Sequence, residues 1–412
     1  MSGEILFLAH RMPFPPDRGD KIRSHHVLRK LASMAPVHVA TFADRAEDFA
    51  HEHELAAVAD SHCLVQRDKP LWKAGLEAIS AREPVSLAAF RDDRIATYVR
   101  DVLATGRIDT IYVFSGQMGQ YVPADFSGQV LMDLVDVDSA KFEAYGKNGL
   151  LHRRWINARE GRLLRAEEEK LAHRANHTLF VSEQEVRLFQ LRLSEPAGVQ
   201  VSPLCNGIDA DYFDPAKVGI SPDFSAMGWP RIVFTGQMDY PPNIAAALRL
   251  MTNILPELRK SHPHAECHIV GRNPPPALLA YDGKMGCRVW GEVADVRPYL
   301  AGADMVIIPL EIARGVQNKV LEAMAMARPV LLTPEAAVGI DGQDKMHFVV
   351  GQGDEELVAC ARVLTDRHRM AAEVGQAARQ FVIETRGWDA ALAPLEALVR
   401  PSRSKQERRN AA

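Results

Sequence analysis

"DMVIIPLEIARGVQNKVLEAMAMARPVLL" (residues 304–332) is the stretch on which the fold turns. An apolar, β-rich run opens it, a loop containing Gly315 follows, then an Ala/Met/Leu segment, and behind Pro329 a second apolar run. Strand, loop, helix and strand in that order form the repeating unit of a parallel sheet with crossover helices. The Ala/Met/Leu residues require a buried helix, with its first turn near Gly315 to Asn318, yet that helix carries Lys319 and Glu322 close to its start.

The same alternation runs through most of the chain. In the first half strands are expected at 4–9, 37–42, 110–115, 129–134 and 177–182, with a long charged helix at 151–174. The pattern restarts at 231–236 and continues at 266–271, 287–291, 304–310 and 329–333. Between the halves, residues 205–230 are rich in Gly, Pro, Asp and Ser and suit a linker. At 412 residues the chain exceeds what one hydrophobic core usually serves. The fold class expected is therefore α/β, two Rossmann-like doubly wound domains facing across a cleft: 1–204, a linker at 205–230, and 231–385. A helix at 386–400, anchored by Trp388, is expected to cross back to the first domain, and 401–412 to be a disordered tail.

Composition excludes several classes. A formal net charge of -4 gives no support for a nucleic-acid binder, which needs clustered positive charge. Five scattered cysteines, at 63, 205, 267, 287 and 360, lack zinc-site spacing and read as reduced thiols in a cytoplasmic chain. The N-terminal "MSGEILFLAH" has no basic region before its apolar run, so it reads as a first strand and not a signal peptide. No segment has the roughly 20 apolar residues of a membrane span, which leaves peripheral contact with the inner membrane surface as the expected mode of any membrane association.

The opening stretch also suggests chemistry. Helix N-termini expose unpaired N–H groups and about half a positive charge, so they receive anions. Gly315 allows close approach of a ligand, Val316, Gln317 and Asn318 supply amides, and Lys319 is a point charge suited to phosphate. Glu322 lies on the same helical face as Lys319, where a carboxylate can accept hydrogen bonds from the vicinal hydroxyls of a ribose. An exposed Lys–Glu pair on a surface helix is the plainer alternative.

These residues carry a resemblance. "VLEAMAMARPV" is similar to the C-terminal signature of retaining, GT-B-fold glycosyltransferases of family 4. In the same order "CNGID" (205–209) resembles their interdomain motif, "FTGQMDYPPN" (234–243) the glycine loop that opens the donor domain, and 289–310 the base-binding strand and its successor. The resemblance implies a nucleotide diphosphate sugar donor, contacts from Gly236, Gly315 to Lys319 and Glu322, base recognition near 288–293, retention of configuration and no metal cofactor. Arg314 departs from the pattern, which usually has an acidic residue there to contact the donor sugar. "ARGVQNKVLEAMAM" resembles a bacterial subgroup associated with exopolysaccharide and exosortase (PEP-CTERM) systems, so Arg314 is read as a donor-site residue of that subgroup, with Glu311 as an alternative acid. Ala327 stands where the family often has Gly.

In the first domain, "HRMPFPPDRGDKIRSHH" (10–26) matches the loop that in related enzymes faces diphosphate and acceptor, making Gly19 and Arg23 candidates, with His25 and His26 as weaker ones. Asp136-Val137-Asp138 has the D-x-D pattern of metal-dependent sugar transferases, a short pattern common by chance. Asp136 or Asp138 could instead orient or deprotonate an acceptor hydroxyl, or cap a helix. The helix at 151–174 has seven Lys/Arg against four Glu and, with Leu151 and Trp155, could rest on anionic lipid near a lipid-linked acceptor; a solvated, salt-bridged helix is the alternative. The expected activity is cytoplasmic transfer of a sugar to a glycan or lipid-linked acceptor in exopolysaccharide synthesis. A nucleotide-sugar 2-epimerase and a non-catalytic nucleotide-sugar-binding partner are the rivals.

Overall fold

The computed structural model describes residues 3–146, 151–225, 228–313 and 316–399. Arg314, Gly315 and the tail 401–412 lie outside the described residues. The chain forms two compact units, Met1–Asn206 together with the chain from Ala391, and Gly207–Ala390.

The first unit is built on a seven-stranded parallel sheet in the order β3-β2-β1-β4-β5-β6-β7. Its strands are β1 (Glu4–Ala9), β2 (Val37–Ala43), β3 (Ser61–Gln66), β4 (Ile108–Phe114), β5 (Gln129–Val135), β6 (His177–Phe180) and β7 (Val201–Pro203). Every residue of β2 is buried, as are all but the first of β1, because crossover helices cover both faces of a parallel sheet. The register sets Ile5 opposite Val37 and Phe7 opposite Tyr112. The returning chain rejoins this unit through an ion pair from Lys30 to Glu396, 2.6 Å, and a hydrogen bond from the Gln129 amide to the Leu398 carbonyl.

The second unit repeats the plan with six parallel strands in the order β10-β9-β8-β11-β12-β13. They are β8 (Arg231–Thr235), β9 (Glu266–Val270), β10 (Cys287–Gly291), β11 (Met305–Ile308), β12 (Val330–Leu332) and β13 (Val349–Val350). In both sheets the strand order reverses direction beside the first strand of the unit, and ligands of doubly wound folds bind at such a switch point, outside the carboxyl ends of the strands. The helix expected after β11 runs from Asn318 to Ala325 and buries Val320, Leu321, Ala323, Met324 and Ala325. Just beyond it Ala327 adopts a left-handed φ of 52°, a conformation that costs a residue with a Cβ roughly 1 to 2 kcal/mol. That geometry explains why Gly suits the position.

A charged group sits in the core of the first unit. Arg23, in the helix Gly19–Ala32, is 1% exposed. It donates through Nε and one terminal nitrogen to the two oxygens of Asp133, 3.1 Å each, and through the other to the Leu204 carbonyl at 2.7 Å and Asn206 Oδ1 at 2.9 Å. Tyr112 donates its hydroxyl to Asp133 at 2.7 Å. Burial pushes the Tyr112 phenol well above its usual range, the Asp133 carboxylate adding to the effect. The sequence reading placed Arg23 against a leaving diphosphate. In the structure it is an internal strut joining the first helix, β5 and the end of the unit, buried at 1% exposure with each of its three nitrogens bonded inside the core.

Removing one member of such a pair leaves an uncompensated buried charge, which typically costs about 3 to 5 kcal/mol. Asp133→Ala is therefore expected to lower the unfolding free energy of the first unit by that order, and its urea midpoint with it, while leaving the second unit's transition unchanged, as followed by circular dichroism and calorimetry. An unchanged midpoint would contradict the role assigned to the pair.

Candidate functional site

Three neighbouring strands of the second unit meet glycine at their carboxyl ends: β8 runs into Gly236, β9 into Gly271, and β10 ends at Gly291. Gly236 N–H donates to the Val270 carbonyl at 3.1 Å and Gly271 N–H to the Gly291 carbonyl at 2.8 Å. A Cβ on Gly271 would lie 1.6 Å from the Gly236 carbonyl oxygen, and one on Gly236 would lie 2.9 Å from Asn243 Nδ2 and 3.1 Å from Lys319 Nζ. Backbone and the lysine head thus occupy the space that side chains would fill, and a concavity opens above the strand ends.

That cavity has a volume of about 600 Å³. Its floor is Thr235, Gly236, Val270 and Gly271, one wall is Val316, Asn318, Lys319 and Glu322, and the other is Arg272, Glu292, Val293 and Val296. The size is within the range of small-molecule and cofactor sites. The wall helix begins at Asn318 with Gln317 as its N-cap, and no side chain caps it, so its first N–H groups are not satisfied in the usual way.

Lys319 Nζ donates to Asn243 Oδ1 and stands 5.0 Å above the Phe234 ring. Burial lowers its pKa to about 8, with the neighbouring Glu322 carboxylate acting in the opposite direction. Burial likewise raises Glu322 above the usual carboxylate range, Lys319 partly offsetting it. Asn243 is itself fixed by donating to the Gln237 carbonyl at 2.9 Å. On the far wall Arg272, exposed, donates to Gln237 Oε1 at 3.0 Å. The site therefore offers a desolvated ammonium, helix amides, an exposed guanidinium and a carboxylate one helical turn from the lysine. Those groups can receive a phosphorylated, hydroxyl-bearing molecule.

Of the residues picked from sequence, Gly236, Val316, Asn318, Lys319 and Glu322 line this one cavity, and Gln317 stands at the N-cap position of its helix. Glu311, the alternative acid, is exposed, with Arg249 at 3.9 Å. Gly19 begins a helix at an exposed position of the first unit. Asp136 and Asp138 lie in the same unit, where both pair with Lys141, at 2.8 and 3.2 Å. They border a small recess with Gln117 and Glu168, and burial lifts Glu168 to about 7 despite the hydrogen bonds it accepts from Ser139. Among the described residues no group of three or more His, Cys, Asp or Glu is placed to hold a metal ion. Sequence reasoning did not single out Gly271 or Arg272, and reached Asn243 and Glu292 only as members of the 234–243 and 288–293 stretches. The available signal was the recurrence of glycine directly after β9 as after β8.

Residues 229–366 match the family model described as Glycosyl transferases group 1. That stretch lies within the second unit. Solved structures extend the likeness to the whole chain and to the GT-B fold. HepE of Anabaena in complex with UDP and glucose is 14% identical, with a TM-score of 0.56 over 96% of this chain and 98% of its own. A sucrose-phosphate synthase from Thermosynechococcus elongatus is 14% identical, with a TM-score of 0.58 over 100% of both chains. WaaG, a glycosyltransferase involved in lipopolysaccharide biosynthesis, is 16% identical, with a TM-score of 0.56 over 97% of this chain and 100% of its own. No curated protein matches the sequence.

The lysine in the cavity of the second unit sets a pH dependence. A phosphate ligand would pair with the ammonium form, which is half lost at about pH 8. Above that point binding must take up a proton, so affinity for a nucleoside diphosphate should fall as pH rises, by up to about tenfold per unit, and be flat below. Calorimetric titration with UDP from about pH 7 to about pH 9.5 measures this, and a Lys319→Met variant should bind more weakly with no such slope. A slope that persists in the variant would assign the proton elsewhere.

Proposed function

We propose that the protein transfers a sugar, with retention of configuration, from a nucleotide diphosphate donor to a glycan or lipid-linked acceptor in exopolysaccharide synthesis. The observation that carries this reading is the convergence of Lys319 and Glu322, one turn apart on a helix with an uncapped N-terminus, on a cavity floored by Gly236 and Gly271 at the switch point of the second sheet.

In this reading the diphosphate lies over the strand ends, met by the first amides of the Asn318–Ala325 helix and by Lys319, with Arg272 closing the opposite side. Glu322 accepts hydrogen bonds from the ribose hydroxyls. Bond cleavage builds negative charge on the leaving diphosphate, and preorganised donors in a partly desolvated site stabilise such charge far better than water does. These groups would serve without a divalent cation. The group 1 match and the UDP in the HepE structure support the donor class. WaaG's involvement in lipopolysaccharide biosynthesis and the "ARGVQNKVLEAMAM" resemblance support a polysaccharide acceptor. A reduced, cytoplasmic setting agrees with five free cysteines.

Hydrogen bonds to a charged group contribute about 1.5 to 3 kcal/mol, so Glu322→Ala should weaken donor binding roughly ten- to hundredfold. Thermal-shift and calorimetric titration with UDP, GDP, ADP and their sugars would identify the base and supply the reference affinity. Unchanged binding in a folded Glu322→Ala protein would remove the ribose assignment. Transfer should survive chelation by EDTA and give a product with the donor's anomeric configuration by NMR. Conversion of donor to its 2-epimer in the absence of acceptor would favour the epimerase instead.

A further inference from the structure

The second unit has another concavity, at the opposite end of its sheet from the cavity of Lys319. Residues that precede β8, β11 and β12, among them Trp229, Asp304 and Arg328, meet the end of the helix Gly353–Asp366 and the start of the helix His368–Arg386 there, around a volume of about 270 Å³. The length of β8, about 16 Å, separates the two cavities. Ala303, Ala327, Ala371 and Ala372 form much of the wall, and their short side chains leave the space open. The volume lies just under the range of drug-sized sites, so it suits a single ring.

Three side chains bring hydrogen-bond donors that the protein does not use. Arg328 donates through Nε to the Met326 carbonyl at 3.0 Å and through Nη1 to the carbonyls of Ala301 and Ala303 at 3.2 and 3.1 Å, which leaves Nη2 without a partner among the described residues. Trp229 is 42% exposed. His262 and His368 approach its ring at 5.9 and 5.3 Å, both well off parallel, so neither lies flat on it. Its N–H, like the amide of the exposed Gln376, has no acceptor among the described residues.

The charges indicate what these donors would take. Arg328 finds only carbonyl oxygens, with no carboxylate within ion-pair distance among the described residues. Burial lowers its pKa, Asp304 opposing the effect and Arg231 adding to it. Asp304, the acidic residue lining the cavity, is already held by Arg231, through the backbone N–H at 2.7 Å and Nε at 3.1 Å. Beside the cavity Asp366 pairs with His262 at 3.1 Å and Glu373 with Arg369 at 3.0 Å. Arg328 is thus the charge left unbalanced here, and it stands in one cavity with an open indole. An indole offers an apolar platform to the C–H face of a sugar ring, and a guanidinium makes charge-assisted hydrogen bonds to carboxylate or phosphate oxygens. We propose that this cavity binds a sugar ring carrying one acidic group, carboxylate or phosphate, with the ring against Trp229 and the acid at Arg328. The inference does not rest on the donor-site assignment.

Calorimetric titration of the full chain with glucuronate, glucose-1-phosphate, glucose and inorganic phosphate tests it. One or both acidic sugars should bind roughly tenfold or more tightly than glucose, which lacks the acid, and than phosphate, which lacks the ring. Whichever acidic sugar binds better identifies the acid. Its affinity should fall roughly tenfold or more in Trp229→Ala and in Arg328→Gln, each with an unchanged circular dichroism spectrum, and should persist in Lys319→Met. Ala372→Phe fills the cavity from an exposed helix position and should abolish binding, which decides the matter if Arg328→Gln does not fold. No binding of either acidic sugar, equal binding of glucose, or full affinity in Trp229→Ala would overturn the proposal. So would loss of binding in Lys319→Met, since the ligand would then sit in the other cavity.

Discussion

The candidate site depends on one steric constraint, the contact between the backbones of Gly236 and Gly271. The Gly236 carbonyl occupies the place where any other residue at 271 would carry its Cβ. That closeness draws the loop after β8 down onto the end of β9, and Met238 N–H then reaches the Arg272 carbonyl at 2.9 Å. Arg272 is placed on one wall and Asn243 beneath the other by the same descent. Asn243 in turn positions Lys319, which belongs to a different crossover of the sheet. Cavity, cation and wall residues are therefore consequences of two missing side chains at the ends of two paired strands.

Much of this was legible in sequence because the elements concerned are long or strongly patterned. β1, β2, β8, β9 and β11 are apolar runs buried on both faces, and the helix behind β11 announces itself by a Leu/Ala/Met surface that water would not tolerate. The strands that escaped are those the sheet itself stabilises. β3 reads Ser-His-Cys-Leu-Val-Gln, mostly half-buried at an edge; β7 is three residues ending in Pro203; β13 is only Val349 and Val350. Their pairing is supplied by neighbours distant in sequence, so no local period marks them.

Charged residues were harder to read than apolar ones. Lys319 and Arg23 each lie in the early turns of a helix, close after a glycine, and local pattern treats them alike. What separates them is long-range: Arg23 meets Asp133, 110 positions away, whereas Lys319 finds only a neutral amide and an aromatic ring, with no carboxylate within ion-pair distance among the described residues. A cation whose charge is balanced inside the protein holds the fold together. One left to a neutral partner in a concavity is available to something that arrives.

The opposite pKa shifts at the site express that availability in energetic form. Lys319 is pulled down and Glu322 is pushed up, and in both cases burial is the larger cause. Their mutual attraction opposes both shifts without cancelling either, so the pocket places a cation and an anion where each is poorer in solvent than its charge prefers. A phosphate beside Lys319 and hydroxyl donors beside Glu322 would supply to each group what burial removed. A ligand that brought both functions at a separation of one helical turn would compensate both groups, and one carrying only one of them would leave the other uncompensated.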